Sequence, residues 1–373
     1  MNLFPDLEKR YCKERLSARE AQRLAEFIAF GPVIFQTARI MKKWGILDML
    51  RNSEDGMTIG EVSAAAEISN YAAKCLLEAS LCIGIVLVDK DTDKFRLSKT
   101  GWFLLTDPAT KVNIDFNHDV NYLGWFNLEE SLRDGKPEGL KSLGDWPTVY
   151  EGLSSLPKQI QDSWFGFDHF YSDNSFDQAL EIVFAGKPRT LLDVGGNTGR
   201  WALRCVDYDK DVNVTILDLP QQIGMMQQNV KGKPGAERID GMGVNLLDES
   251  VEMPSDRKFE AIWMSQFLDC FSEEQIVSIL KRAAKVMDAD SRLYIMETLW
   301  DRQRFETAAL CLTLTSLYFT AIANGNSKMY HSEDMERLVR LAGLKVEKVH
   351  DYLGQGHSIL VCRLDNAANC DKS

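Results

Sequence analysis

The second half of the chain alternates short apolar runs with amphipathic stretches. The apolar runs have no helical phase and are bounded by polar or glycine-containing segments, so they are predicted as strands, at residues 190–194, 212–217, 238–244, 259–265, 292–296, 344–350 and 357–363. The stretches between them carry apolar residues at helical spacing, as in the helix predicted over 307–323. Alternating strands and helices are typical of a parallel sheet covered on both faces, so this half belongs to the α/β class.

The first hundred residues have a different pattern, in which helices are followed by a hairpin. Ser17 with Glu20 and Thr58 with Glu61 form two capping boxes, each before an amphipathic helix. After the second box, a helix and two strands around a polar loop are predicted, at residues 71–82, 85–88 and 95–97. This order predicts a winged-helix domain over residues 1–107.

A winged helix serves either to bind DNA or to pack against another subunit. The helix that would read DNA has Lys74 as its one basic residue and also carries Glu78, whereas groove-reading helices need several basic or amide side chains. The formal net charge of the chain, -12, also disfavours phosphate binding, so nucleic acid is not predicted as a partner. The apolar stretch 30–50 favours a homodimer interface, with a monomer core as the alternative.

Residues 108–180 are predicted to be a helical connector that is rich in aromatic side chains. Trp164, Phe165 and Phe167 come shortly before the sheet domain and are predicted to line a pocket for a flat, apolar acceptor. The alternative for these rings is packing between two domains. The sheet domain is then predicted over 181–365, and a tail over 366–373.

The clearest chemical signal is a glycine turn after the first sheet strand, in RTLLDVGGNTGR. Gly195, Gly196 and Gly199 permit a tight turn and close approach of a ligand to the backbone, at a helix N-terminus where α/β folds bind nucleotides. The turn lacks both the NAD fingerprint and the Gly-Lys-Ser/Thr of a P-loop. Asp193 lies before the glycines, and Asp218 ends the next strand, where a carboxylate can accept hydrogen bonds from ribose hydroxyls. Together they resemble an S-adenosylmethionine site.

Further cofactor contacts are predicted at the ends of the neighbouring strands. Asn245 follows the third strand and offers its amide to an exocyclic amine, while Leu246 would cover the face of an adenine. Leu219 follows the ribose-binding acid, and Ser265 and Gln266 follow the fourth strand. These residues complete the predicted cofactor site.

The composition disfavours several other classes of protein, namely disulfide-linked, secreted, membrane-spanning and metal-binding ones. The eight cysteines show no CxxC spacing and are predicted to be reduced core residues of a cytosolic protein. The N-terminus is charged, and no apolar run approaches 18 residues, so neither a signal peptide nor a membrane span is predicted. The five histidines are scattered, and no metal site is predicted.

In their order and spacing, these motifs resemble the class I S-adenosylmethionine-dependent methyltransferases, specifically the small-molecule O-methyltransferase family of plant caffeate and bacterial antibiotic enzymes. The resemblance covers nearly the whole chain. Its motifs are LDVGGNTG, Asp218-Leu219-Pro220, the loop after the fourth strand and Ala342-Gly343-Leu344. It implies a Rossmann-like sheet, mostly parallel with the last strand antiparallel, S-adenosylmethionine as cofactor, a small-molecule acceptor and a homodimer formed through the N-terminal domain.

The resemblance also implies roles for individual residues. Gly195 would lie beside the methionine part of the cofactor and Asp218 on its ribose. Asn245 and Leu246 would surround the adenine, with Asn in place of the family's usual Asp. Ser265 stands where plant members often have a Lys, so one contact with the cofactor is expected to be missing.

The main departure from the family concerns the catalytic base. After the fourth strand, the family's His-Asp-Trp is replaced by Asp269-Cys270-Phe271, so no histidine stands at the position of the base. The acid after the fifth strand is retained as Glu297, while the family's second orienting Glu aligns with Met329. The proton of the acceptor must therefore leave by another route.

Three routes are open at the level of sequence. Asp269 is favoured as the base, with its pKa raised by burial and by Glu297, although a structural role for either acid is the alternative. His331 precedes the last helix and either reaches the site or caps that helix. The third route uses no base, because the acceptor ionises easily or is an activated ring carbon. The predicted function is O-methylation, with C-methylation of an electron-rich ring or a regulator that binds the cofactor without methyl transfer as alternatives.

Overall fold

The computed structural model describes residues 2–256 and 258–365, and the predicted tail at 366–373 lies outside them. The chain divides into two compact units. The helical unit comprises Glu14–Val120 and Asp162–Phe167, and the sheet unit comprises Met1–Lys13, Asn121–Gln161 and Asp168–Ser373. The grouping differs from the predicted boundaries, because the first unit ends at Val120 and the N-terminal segment, with helix α1 (Pro5–Tyr11), belongs to the sheet unit.

The helical unit has the predicted order of helices and hairpin. Its elements are α2 (Ala18–Ala29), α3 (Gly31–Lys43), α4 (Ile46–Asn52), α5 (Ile59–Ala65), α6 (Asn70–Cys82), β1 (Val86–Val88), β2 (Phe95–Leu97), α7 (Lys99–Thr106) and α8 (Pro108–Phe116). Both predicted capping boxes are present, at the N-termini of α2 and α5. Strands β1 and β2 pair antiparallel, and the segment between them is the polar loop that the sequence predicts.

The apolar stretch 30–50 contributes both to a core and to the surface. Met41, Ile46 and Leu47 are fully buried in the core of the helical unit. By contrast, Phe30 is 60% exposed and Val33 is 61% exposed. The stretch therefore supplies a monomer core and, at its N-terminal end, apolar surface that no residue of the chain covers among those described.

The sheet unit contains a seven-stranded sheet within the described residues. Its strands are β3 (Thr190–Val194), β4 (Asn213–Asp218), β5 (Ile239–Gly243), β6 (Ala261–Ser265), β7 (Arg292–Glu297), β8 (Leu344–Leu353) and β9 (His357–Leu364). Their order across the sheet is β5-β4-β3-β6-β7-β9-β8. Strands β3 to β7 pair parallel, whereas β9 is antiparallel to both of its neighbours. The predicted Rossmann-like sheet with an antiparallel last strand is confirmed.

Helices cover both faces of this sheet, as the alternating pattern predicts. The helices of the unit after α1 are α9 (Leu128–Asp134), α10 (Val149–Gly152), α11 (Lys158–Ser172, with residues 162–167 in the helical unit), α12 (Phe176–Val183), α13 (Arg200–Tyr208), α14 (Pro220–Val230), α15 (Glu273–Lys285), α16 (Glu306–Tyr318) and α17 (Ser332–Leu341). Successive residues of β3 point to opposite faces: Leu191 packs with α12, α13 and α14, whereas Leu192 packs with α15 and α17.

The helix predicted over 307–323 is interrupted near its end. Helix α16 stops at Tyr318 and continues as a wider turn over Phe319–Ala323. The combined segment Glu306–Ala323 is long and apolar enough to cross a membrane, as is the bent pair α2 and α3 if it is counted as one span. The core helix of a folded domain meets the same criterion, and Ala309, Leu312 and the end of this segment are buried in the sheet unit.

The prediction that the cysteines are core residues is only partly correct. Cys205 and Cys362 are buried, whereas Cys12, Cys75 and Cys82 are exposed. The exposed thiols lie on amphipathic helices or at their ends, where an apolar sequence pattern does not distinguish the inner edge of a helix from its outer edge. Cys370 lies outside the described residues.

Candidate active site

The parallel strands bring the predicted cofactor and catalytic residues to one edge of the sheet. Strands β3, β4, β6 and β7 run in the same direction, so that their carboxyl ends meet at this edge. Asp193, Asp218, Ser265 and Glu297 lie at or near these four ends. In open α/β sheets this edge is where ligands bind.

The glycine turn after β3 is compact and packs against the protein itself. Gly195 and Gly199 have φ values of 78° and 76°, which favour glycine. A Cβ at Gly195 would lie 2.3 Å from the ring of Phe267, and one at Gly196 would lie 2.6 Å from Asp193 Oδ2. The sequence attributes these glycines to close approach of a ligand, but the contacts with Phe267 and Asp193 already require them.

Two acids from adjacent strands lie beside this turn. Asp218 accepts hydrogen bonds from the backbone N–H groups of Asn197 and Leu219, both at 2.7 Å. Asp193 is buried, and its Oδ2 has no hydrogen-bond partner in residues 2–256 and 258–365. Burial, with a smaller effect of the Asp218 charge, raises the pKa of Asp193 to about 8. Burial also raises the pKa of Asp218, against the opposing effect of its backbone hydrogen bonds.

The loop after β5 is fixed by an arginine that sequence reasoning missed. Arg282 of α15 is buried and donates to three backbone carbonyls of this loop, those of Leu246 (2.6 Å), Asp248 (3.1 Å) and Val251 (2.9 Å). Leu246 is buried, and Asn245 Oδ1 accepts the N–H of Leu247 at 3.0 Å. The loop is therefore held in one shape before any ligand binds. An arginine in an amphipathic helix gives no sign in the sequence of which carbonyls it will reach.

The residues after β6 adopt a strained turn that leads into the loop carrying Asp269. Gln266 has a φ of 44°, which is uncommon for a residue with a side chain. Its N–H donates to Met296 O at 2.9 Å, while its Oε1 is buried and without a partner in the described part of the chain. Ser265, one residue earlier, is half-buried. Strain of this kind is concentrated at binding sites, which supports the prediction for Gln266.

Asp269 and Glu297 form an interacting pair of buried carboxyl groups. Asp269 is 4% exposed and Glu297 is 2% exposed. Glu297 Oε1 accepts the N–H groups of Phe267 (3.1 Å) and Leu268 (2.9 Å), which fixes the loop that carries Asp269. The second oxygen, Glu297 Oε2, is buried and has no hydrogen-bond partner among the residues described.

The pKa values of the two carboxyl groups reflect this burial. Burial raises the pKa of Asp269 to about 7; the hydrogen bond with the Cys270 thiol opposes this rise, and the charge of Asp168 adds to it. Burial, and then the charge of Asp269, raise the pKa of Glu297 well above its usual range. Two carboxyls in one low-dielectric site do not both ionise easily, so near neutral pH the pair retains a proton.

The structure places His331 as a helix cap. Its Nδ1 accepts the N–H of Glu333 at 3.1 Å at the start of α17, and its Nε2 lies 3.0 Å from Asn2 O. Both ring nitrogens are therefore engaged, and the ring packs edge-on against Trp300. This is the capping role that the sequence allows as the alternative to catalysis, and His331 has no part in the mechanism proposed below.

The three aromatic residues predicted to line the acceptor pocket lie in the helical unit. Trp164 and Phe165 contact each other edge to face at 5.1 Å, and Phe167 stacks on Phe116 at 4.1 Å between ring centroids. Their position near the acceptor stays a prediction.

Side chains that could bind a metal ion do not cluster among the described residues. Within residues 2–256 and 258–365, no group of three or more His, Cys, Asp or Glu side chains is arranged to hold a metal ion.

Comparison with protein families identifies two domains in the chain. Residues 22–95 match the Dimerisation2-like domain, and residues 173–345 match the O-methyltransferase domain. Norreticuline-7-O-methyltransferase of Papaver somniferum is 27% identical over 220 residues, which cover 59% of this chain and 57% of that enzyme. The match thus spans less than two thirds of the relative.

Solved structures share the fold over nearly the whole chain. The S-adenosylmethionine-dependent methyltransferase SibL in its apo form has a TM-score of 0.68 at 20% identity, covering 91% of this chain and 98% of its own. The mitomycin 7-O-methyltransferase MmcR has a TM-score of 0.68 at 18% identity, and the match covers 92% of this chain and 98% of MmcR. The chain thus contains a Dimerisation2-like domain followed by an O-methyltransferase domain, and it shares the fold of these solved methyltransferases.

Proposed function

We propose that this chain transfers a methyl group from S-adenosylmethionine to a hydroxyl group of an aromatic or polyketide-like small molecule. The observation that carries the proposal is the buried pair Asp269 and Glu297, which lies at the same sheet edge as the glycine turn and Asp218. One set of residues binds the donor, and the other receives the proton of the acceptor. Two of the similar proteins, norreticuline-7-O-methyltransferase and mitomycin 7-O-methyltransferase MmcR, are O-methyltransferases, which supports this choice.

The chemistry of the edge fits S-adenosylmethionine. Asp193 Oδ2, Asn197 Oδ1 and Gln266 Oε1 are buried hydrogen-bond acceptors without a donor in the described part of the protein. The ribose hydroxyls, the adenine amine and the methionine ammonium of the cofactor are all donors, so they complement these oxygens. Asp218 would hold the ribose, and Asn245 with Leu246 would hold the adenine. When bound, the cofactor supplies an electrophilic methyl group on its sulfonium.

Asp269 is the proposed base. The acceptor hydroxyl loses its proton to Asp269 as its oxygen forms the new bond to the methyl carbon. A pKa of about 7 leaves much of Asp269 ionised at neutral pH, and it is far better matched to proton uptake than an ordinary carboxylate. Glu297 positions Asp269 through the backbone N–H groups of Phe267 and Leu268, and retains the proton that the pair shares.

Exposed apolar surface supports a homodimer formed through the helical unit. No residue of α2 is buried, and Ile28, Phe30 and Val33 form a continuous exposed apolar segment at its junction with α3. This surface lies within the Dimerisation2-like domain. Large exposed apolar patches on soluble proteins usually mark interaction sites. The free cysteines suit a reducing compartment, and we place the enzyme in the cytoplasm.

The decisive experiment replaces Asp269 by Asn and follows methyl transfer. The probes are methyl-labelled S-adenosylmethionine and four acceptors: phenol, catechol, 2-naphthol and 2,3-dihydroxynaphthalene. Turnover of D269N should fall at least about tenfold, because general-base help typically contributes about 10²- to 10⁴-fold. Its affinity for S-adenosylmethionine, measured by calorimetry, should be unchanged.

The matched control is Asp240→Asn, which removes an exposed acid of β5 from the same unit. Equal turnover of D269N and the native enzyme would remove Asp269 as the base. Label recovered on a ring carbon would replace O-methylation by C-methylation. Folded native protein that shows no heat with S-adenosylmethionine or S-adenosylhomocysteine would overturn the proposed function itself.

A further inference from the structure

Tyr150 places a buried hydroxyl beside the catalytic carboxyl groups. It belongs to α10, a single turn of helix in the connector, and to the same compact unit as Asp269. Its hydroxyl oxygen is buried, yet it makes no hydrogen bond to any residue in the described ranges. Buried polar groups without partners are rare in folded proteins, and each one calls for an explanation.

The position of Tyr150 is fixed by tight packing on either side. The ring of Trp146 lies where a Cβ at Gly144 or Gly152 would stand, with closest approaches of 2.2 Å and 2.4 Å. Val149 and Leu153, which flank Tyr150 in sequence, are buried. The turn of helix that carries Tyr150 is therefore tightly packed.

The environment of the hydroxyl makes it a hydrogen-bond donor. It lies against the Cys270 thiol, without the geometry of a closed hydrogen bond, and within the electrostatic reach of Asp269 and Tyr318. Burial, followed by the effect of these neighbours, raises the pKa of Tyr150 above its usual value, so the phenol keeps its proton. A thiol is a weak acceptor, so Cys270 does not substitute for an oxygen partner.

A second orphan oxygen lies in the same cluster. Glu297 Oε2 is buried without a partner, and Glu297 interacts with Asp269. Two unsatisfied polar atoms and the proposed base are thus gathered around one point of the sheet edge. A ligand with polar atoms of its own would satisfy them, whereas an entirely apolar ring would leave them buried and unpaired.

We infer that Tyr150 is a specificity-determining residue, whose hydroxyl donates a hydrogen bond to an acceptor oxygen adjacent to the oxygen that is methylated. The inference rests on the proposed function. Asp269 takes the proton of one oxygen, and Tyr150 binds its neighbour. The favoured acceptors therefore carry two neighbouring oxygens, as in an ortho-dihydroxy ring or a ring with a hydroxyl beside a carbonyl, and single phenols bind less well.

The test compares acceptors that differ by one oxygen. Catechol is compared with phenol, and 2,3-dihydroxynaphthalene with 2-naphthol, by calorimetry on protein saturated with S-adenosylhomocysteine and by label transfer from S-adenosylmethionine. The native enzyme should prefer the dihydroxy member of each pair by about tenfold or more, since sites built to bind a hydroxyl reject analogues that lack it. In Tyr150→Phe, affinities for the two members should fall within about threefold of each other.

Two controls separate recognition from a structural role. Tyr294→Phe removes another buried tyrosine hydroxyl of the sheet unit, one that reaches Val183 O at 3.5 Å, and should keep the native preference. Tyr150→Phe should melt at the native temperature or above, because the hydroxyl it loses has no partner. If the hydroxyl served only packing, its removal in Tyr150→Phe would lower the melting temperature and reduce the affinity for both acceptors of a pair equally.

The outcomes also separate this inference from the proposed function. Normal methyl transfer with no native preference for the dihydroxy member overturns the role of Tyr150, whatever the stability of the variant. A preference that survives in Tyr150→Phe overturns it as well. Absence of cofactor binding by folded native protein removes the proposed function and the inference together.

Discussion

Asp218, which is half-buried, and Asp269, which is buried, lie at the same sheet edge but are held in different ways. Asp218 accepts N–H groups of Asn197 and Leu219, which belong to the glycine turn and to its own strand end. Asp269 interacts with Glu297 and Tyr150, which come from distant parts of the chain, and with the adjacent Cys270. We call the part of the edge proposed to bind the methyl donor the donor half, and the part proposed to take up the proton the proton-handling half. Backbone groups hold the acid of the first, and side chains surround the acid of the second.

The difference bears on how each half tolerates change. A backbone cradle depends on turn geometry, so its glycines and strand ends leave few alternatives. A cluster of side chains functions as long as one member has a suitable pKa and position. On the proposed function, this accounts for an aspartate, Asp269, at the position where the resemblance implies a histidine, while the glycine turn keeps its form. The following predictions test whether the two halves are as separable as this comparison requires.

The largest expected effect is on the pH dependence of the rate. Asp269 must be ionised to accept a proton, and its pKa of about 7 lies above that of an ordinary carboxyl group. As pH falls below 7, the ionised fraction drops from about one half at pH 7 to about one hundredth at pH 5, so kcat/KM should fall about 50-fold over this range. The rate should level off above pH 7. Initial rates of label transfer at saturating cofactor measure this profile.

The D269N variant makes this profile diagnostic. Asparagine does not titrate, so the acidic limb should disappear and the residual rate should be flat over the same range. The affinity for S-adenosylmethionine should not follow the limb in either protein. If the rate of D269N still fell at low pH, the titration would belong to another group, and the two halves would not be separable in the way proposed.

Much of the donor half follows from the sequence. A strand, a glycine turn and a helix are contiguous, so RTLLDVGGNTGR predicts both Asp193 and the turn without knowledge of the rest of the fold. The strand ends at Asp218 and Glu297 follow from the same alternation of apolar runs. The sequence explains only in part why residue 195 is glycine, because the Phe267 ring that packs on it comes from a loop more than seventy residues later.

The proton-handling half follows from the sequence only in part. The loss of the histidine is visible because Asp269 stands at a motif position, but the burial that raises its pKa is a property of the tertiary structure. Tyr150 is one aromatic residue among many in the connector, and its orphan hydroxyl appears only once α10 is packed. His331 was ambiguous for the same reason, since Asn2, its backbone partner, lies at the other end of the chain.

The next effect concerns Asp218 and the affinity for the donor. In Asp218→Ala, the Kd for S-adenosylmethionine should rise between about tenfold and 100-fold, since hydrogen bonds to a charged group each contribute about 1.5–3 kcal/mol. Calorimetry on folded material measures this change. The preference between catechol and phenol should be retained, because Tyr150 and Asp269 are not altered.

The control for Asp218 is Asp211→Ala, which removes an exposed acid paired with Arg189 near the start of β4. It should leave the Kd unchanged. An Asp218→Ala protein with native affinity for the donor would show that the ribose is bound elsewhere. A change in acceptor preference would show that the two halves are coupled.

The smallest expected effect tests the side-chain support of the donor half. Arg282→Met leaves the carbonyls of Leu246, Asp248 and Val251 without their buried donor, and the free energy of unfolding should fall by about 2 kcal/mol. The loop proposed to hold the adenine then loses its fixed shape and must be ordered when S-adenosylmethionine binds, so the Kd should rise by about threefold. Urea denaturation and calorimetry measure the two effects.

Lys281→Met, an exposed change in the same helix α15, is the matched control and should alter neither quantity. If Arg282→Met weakened donor binding as strongly as Asp218→Ala, the donor half would depend on side chains as much as on backbone. If it reduced stability but left the Kd untouched, the adenine loop would be organised by its own turn, as Asn245 Oδ1 and the N–H of Leu247 already suggest. The donor half would then depend on its backbone hydrogen bonds even more than the contacts of Arg282 imply.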